Sequence, residues 1–175
     1  MRRINGKING NLSACRQRGI SMVESLVALV VLSVGMLGIA ALFVESVRNS
    51  RTALLRTQAI NLVGDMADRI RANAGARDAY DLDTYGGAPE ERACAPTPDA
   101  AGDNCSSATL AEDDLARWVV AVRAALPAFE DGPAQADVQF LGPAAAGAPD
   151  RYQITVSWRE PGEELPLSYG SDVLI

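Results

Sequence analysis

Twenty consecutive uncharged residues, Ser25–Val44 (SLVALVVLSVGMLGIAALFV), constrain this chain more than any other feature in it. As an α-helix rising about 1.5 Å per residue, the run is long enough to cross the ~30 Å hydrocarbon core of a bilayer. A helix on the surface of a soluble domain carries a polar face, but the only non-apolar members here are serines and glycines. The residues left over are too few to surround it as the core helix of a large protein.

What precedes the run gives it direction. Residues 1–19 hold Arg2, Arg3, Lys7, Arg16 and Arg18 and no acidic residue. Basic flanks stay in the cytoplasm, so the N-terminus is expected inside and the bulk of the chain outside. A secretory signal has a shorter apolar region with a small-residue cleavage site after it. No such site ends this run, and Gly38-Ile39-Ala40-Ala41 lies within it. The candidate cleavage point instead lies ahead of the apolar run, at Arg18-Gly19-Ile20. A cut between Gly19 and Ile20 makes Glu24 the fifth residue of the mature chain, at the head of the apolar run.

A basic leader ending in Gly19, a short apolar stretch, Glu24 as fifth mature residue and then the run Ser25–Val44 together resemble a type IV prepilin. A type II secretion pseudopilin is a relative with the same features. The segment Glu24–Gly38 is most similar to minor pilins of the PilV type, although Ile20 stands where such chains usually begin with Phe. The resemblance implies an α+β, type IV pilin-like fold: a long N-terminal helix, half apolar and half amphipathic, packed on a small antiparallel sheet with one further short helix. It also implies cleavage after Gly19 by a prepilin peptidase, N-methylation of Ile20, and an assembly role for Glu24 opposite a subunit's terminal ammonium. The implied partners are that peptidase, other major and minor pilins and the assembly platform. The implied location is a single pass of the inner membrane, with the C-terminal domain periplasmic, and then the pilus. A carboxylate at the bilayer centre costs about 2.5–3.5 kcal/mol on insertion scales, and pairing offsets that cost. Two alternatives stand beside the pilus subunit: a type II secretion pseudopilin, and a single-pass anchored periplasmic binding module in which Glu24 merely ends the apolar run.

Composition narrows the function further. After Gly19 the chain has 11 basic and 22 acidic residues, a balance of −11, which makes it a poor electrostatic partner for nucleic acid. There is no histidine, which removes the usual general base and the commonest metal ligand, and nothing else points to an enzyme or a cofactor. Cys15 belongs to the leader. Cys94 and Cys105 remain as an even pair, and export to an oxidising compartment favours a disulfide over two free thiols. A loop of this size stabilises a fold by roughly 2–4 kcal/mol in the chain-entropy model.

The chain divides into a leader (1–19), an apolar helix (20–44), its amphipathic continuation (45–73) and a globular part (74–175). No proline occurs before Pro89, so one helix is expected from about Ile20 to Asn73, roughly 80 Å long. Leu55, Ala59, Leu62, Met66 and Ile70 form its expected buried stripe, with Val47, Leu54 and Val63 beside it, and Asp65/Arg69 can pair at i,i+4. Gly35 and Gly38 are candidates for the local unwinding seen in related pilins. Close helix packing, or simple tolerance of glycine in a membrane helix, explains them equally well. Residues 74–108 read as irregular. Asp81-Leu82-Asp83-Thr84-Tyr85-Gly86 resembles the start of a calcium loop, but Tyr85 and Arg92 occupy the fifth and twelfth positions, so a turn is expected instead. Thr109-x-x-Glu112 has capping-box spacing and predicts a helix to about Leu126, with Leu110, Trp118, Val119, Val122 and Leu126 inward. Asp137–Leu141, Arg151–Trp158 and Leu165–Ile175 are expected strands, with a turn at Pro161-Gly162.

Overall fold

The computed structural model describes residues 19, 21–94, 104–160 and 165–175. The leader ahead of Gly19, Ile20 and the Pro161-Gly162 turn lie outside them. The chain forms two compact units, Met1–Ser46 and Val47–Ile175. Helix α1, Met22–Ala72, contributes to both. In the first unit its side chains are exposed throughout, Gly35 and Gly38 are helical, and the Ser33 hydroxyl donates back to the Leu29 carbonyl.

The second unit is built on the amphipathic half of α1. Leu55, Ala59, Val63, Met66, Ala67 and Ile70 are buried. The buried face is thus turned toward Val63 and Ala67. Leu62 is left at its rim, and Leu54 and Val47, expected beside the stripe, are exposed. The expected ion pair forms, Arg69 Nε to Asp65 Oδ2 at 2.9 Å.

After α1 the expected irregular stretch contains two 3₁₀ segments, Ala74–Tyr80 and Leu82–Tyr85. Asp81 caps the second: its Oδ1 accepts from the Asp83 amide at 2.9 Å. Helix α2, Ser107–Ala125, begins three residues earlier than the Thr109 cap predicts. Ser106 is the cap, its Oγ accepting the Thr109 amide at 3.2 Å. Thr109 is the third helical residue and its hydroxyl bonds Ser106 Oγ, so the true signal was Ser106-x-x-Thr109. Pro127 follows the last turn, as expected. Trp118, Val119, Val122 and Leu126 are buried, and Leu110 is only half-buried because Ala111 and Leu115 occupy the centre of the face.

Strands β1 (Gln135–Phe140), β2 (Arg151–Trp158) and β3 (Leu167–Leu174) form an antiparallel sheet in the order β1-β2-β3. Tyr152, Ile154, Val156 and Trp158 alternate onto its buried face, as the period of two requires. That face, α2 and the second half of α1 share one hydrophobic core. On the outer face Gly170 sits opposite Thr155, where an added Cβ would meet Thr155 Oγ1 at 2.9 Å and the Ile154 carbonyl at 3.2 Å. A side chain there would need the Thr155 hydroxyl to move and the Ile154 carbonyl to give by a few tenths of an ångström.

Candidate assembly site

The head of α1 sets the geometry of the N-terminal candidates. Gly19 and Ser21 are exposed, and the Ser25 amide donates to the Ser21 carbonyl at 3.2 Å, closing the first turn. Glu24 lies in that turn, where the partial positive charge of the helix N-terminus favours a carboxylate. Glu24 is exposed and makes no hydrogen bond or ion pair with any described residue. Behind it, Leu26 to Val44 presents large apolar side chains that are each more than half exposed, Leu37 at 71% and Leu42 at 73% among them. Nothing in the described chain covers this surface. An apolar area of that extent demands lipid or other helices as its solvent. One exposed carboxylate at the head of an uncovered apolar helix is therefore the site's chemistry.

The second candidate feature is the bridge. Cys94 and Cys105 are joined, with their Cα atoms 5.7 Å apart. The segment leading into Cys94 is strapped to α2 by Glu112, expected from the sequence as the acid of a capping box with Thr109, and by Asp113, which the sequence had not marked. Arg92 Nε donates to Glu112 Oε2 at 2.8 Å, and the Arg92 and Glu90 amides donate to Asp113 Oδ1 and Glu112 Oε1 at 2.8 and 3.3 Å. Asp113 is buried and also accepts from Arg117 Nε at 3.0 Å. The available signal was the run Glu112-Asp113-Asp114, three consecutive acids near the start of α2. The third, Asp114, accepts from Arg69 Nη1 at 2.9 Å and from the Tyr80 hydroxyl at 2.8 Å, tying α1, α2 and the first 3₁₀ segment together. Burial, reinforced by the Asp114 hydrogen bond, pushes the Tyr80 phenol far above its ordinary value, so it stays a donor.

The Arg92 guanidinium holds the Glu112 carboxyl below its ordinary 4.5. A depressed folded value stabilises the fold above that ordinary value, and the effect is lost as pH falls through the folded one. Glu112→Gln is expected to lower the melting temperature slightly at neutral pH, by the equivalent of on the order of 1 kcal/mol or less for an ion pair of this kind. The gap to wild type should close in acid below the carboxylate range. A gap that persists unchanged in acid would show that the loss comes from packing rather than charge.

The Asp81/Asp83 stretch is structural, as expected of a turn: Asp81 Oδ2 accepts the Phe140 amide at 3.0 Å, capping the outer edge of β1. Among the described residues no three metal-type ligands converge.

Two sequence families match the chain. The prokaryotic N-terminal methylation motif covers residues 15–40, spanning Gly19, Ile20 and Glu24. The family described as type IV pilin Tt1218 covers residues 41–116, from the end of the apolar run into α2. No curated protein and no solved structure matches it.

Proposed function

We propose, from the premise that the chain is a type IV pilin, that it is a minor subunit of a type IV pilus and acts by assembly rather than by catalysis. The observation that carries this reading is the methylation motif running directly into an exposed apolar helix headed by an unpaired Glu24. The prepilin waits in the inner membrane with its leader inside and Val47–Ile175 in the periplasm. A peptidase cuts between Gly19 and Ile20, and the amine of Ile20 is methylated. Gly19 suits the cut because a peptidase must approach the extended backbone closely, where a side chain would intrude. The released helix then packs among other pilin helices, and Glu24 meets a terminal ammonium.

The test is the N-terminal mass of protein purified from a host that has the peptidase. A chain beginning Ile-Ser-Met-Val-Glu, with one added methyl, is the expected result. An intact leader would overturn the reading and favour an anchored module. A type II secretion pseudopilin shares this processing. Loss of surface pili in a deletion strain, with exoprotein secretion intact, is the outcome that assigns the chain to the pilus.

A further inference from the structure

The amphipathic half of α1 opens with a cluster of arginines. Arg48, Arg51 and Arg56 are exposed and make no ion pair with any described residue, although Glu45 lies three residues before Arg48. Beyond them most arginines are paired: Arg69, Arg71, Arg77, Arg92, Arg117 and Arg159 each hold an acidic partner, while Arg123 and Arg151 form no ion pair with any described residue. From Glu45 to Gly64 there is one acid against three arginines, in a chain that is otherwise strongly acidic after Gly19.

Their spacing from the apolar run is specific. Val44 ends that run, and Arg48 and Arg51 follow four and seven residues later. At 1.5 Å per residue this is roughly 6 and 10 Å of helix axis. The headgroup layer on each side of a bilayer is roughly 5–8 Å thick, and helical side chains lean toward the N-terminus, here back toward the lipid. Long arginines readily reach such a layer and bind phosphate oxygens through two parallel N–H bonds. Arg56, twelve residues past Val44, lies roughly 18 Å along the axis and falls outside it.

We propose that Arg48 and Arg51 form an anionic-phospholipid docking site that seats the unassembled subunit on the outer face of its membrane. The site holds the base of the globular unit against headgroup phosphates and is vacated when the subunit leaves for the filament. The proposal rests on the membrane-resident stage of the function proposed above.

The test uses the full chain in nanodiscs of phosphatidylcholine with a minority of phosphatidylglycerol, and counts retained lipids by native mass spectrometry. The leader contributes equally to every variant and cancels in the comparison. Wild type should retain phosphatidylglycerol in preference. A basic residue at such a surface is worth about a five-fold factor, so Arg48→Gln with Arg51→Gln should weaken retention about 30-fold. The double Lys replacement should keep most of it, and Arg56→Gln all of it. All of these residues are exposed, so circular dichroism should show an unchanged fold. Equal retention by wild type and the double Gln variant would overturn the proposal, as would an equal loss from Arg56→Gln alone. If the double Gln variant keeps its lipid but is missing from sheared filaments, the arginines are subunit contacts and the lipid site is refuted. An uncleaved leader in the parallel cell culture would instead refute the pilin function, which the lipid count does not address.

Discussion

Glu24→Val is expected to leave membrane insertion and leader cleavage intact while reducing entry into filaments by two orders of magnitude or more. Insertion survives because removing a charge beside Ser25–Val44 only lengthens the apolar run. Cleavage survives because Gly19 is unchanged. The carboxylate also favours the first turn of α1 through the helix dipole, but that effect is about 0.3–1 kcal/mol, too small to abolish assembly. The larger effect comes from the docked state, where the ammonium of a subunit would be buried without its counter-charge. Breaking a buried pair from one side costs roughly 3–5 kcal/mol, at about 1.4 kcal/mol per factor of ten. Glu24→Asp keeps the charge on a shorter arm and should be milder. Immunodetection in sheared filaments against the membrane fraction reads the effect, with cleavage scored by gel shift in the same samples. Equal incorporation of wild type and Glu24→Val would reduce Glu24 to the residue that ends the apolar run.

Trp118→Ala is the substitution expected to damage the second unit most. Trp118 is fully buried between the helices, and its indole N–H donates to the Leu62 carbonyl of α1 at 2.8 Å, a link spanning 56 residues of sequence. Truncation removes both the packing and the bond, and a Trp-to-Ala change in a core costs about 3–5 kcal/mol. Trp118→Phe keeps most of the packing. It loses the hydrogen bond, a net of about 0.5–1.5 kcal/mol, and the part of the ring that Phe does not fill, while the Leu62 carbonyl keeps its place in the helix ladder. The measure is thermal unfolding of the purified chain, followed by near-ultraviolet circular dichroism. An unchanged midpoint for Trp118→Ala would show that α2 is not anchored to α1 through this residue.

Much of this architecture is local and therefore readable. Period and length alone locate α1, because an uncharged run followed by apolar residues three and four apart has no other regular solution. The alternation Tyr152, Ile154, Val156, Trp158 locates β2 and its buried face for the same reason. The cap of α2 was misread because Ser106 and Thr109 both have capping side chains, and only the backbone shows which one lies outside the helix. The stripe on α1 was turned by part of a step because its exact facing depends on what packs against it, and Val63 and Ala67 look no more apolar than Leu62.

The sequence by itself determined the N-terminal part of this protein: the basic segment ahead of Gly19, the proposed Gly19–Ile20 junction, the position of Glu24 and the apolar length behind it. Those are matters of order and spacing along one helix, and no distant residue is needed to define them. Only the tertiary structure decided how the second unit, Val47–Ile175, holds together. Asp113 and Asp114 are adjacent acids, and apart from Arg117 at i,i+4 nothing in the sequence marks their partners. One takes Arg117, one turn along α2, and the Arg92 amide; the other takes Arg69 and Tyr80; the Arg92, Tyr80 and Arg69 donors come from 21, 34 and 45 residues away. A buried carboxylate is stable only where donors from elsewhere in the chain converge on it, and that convergence is a property of the fold.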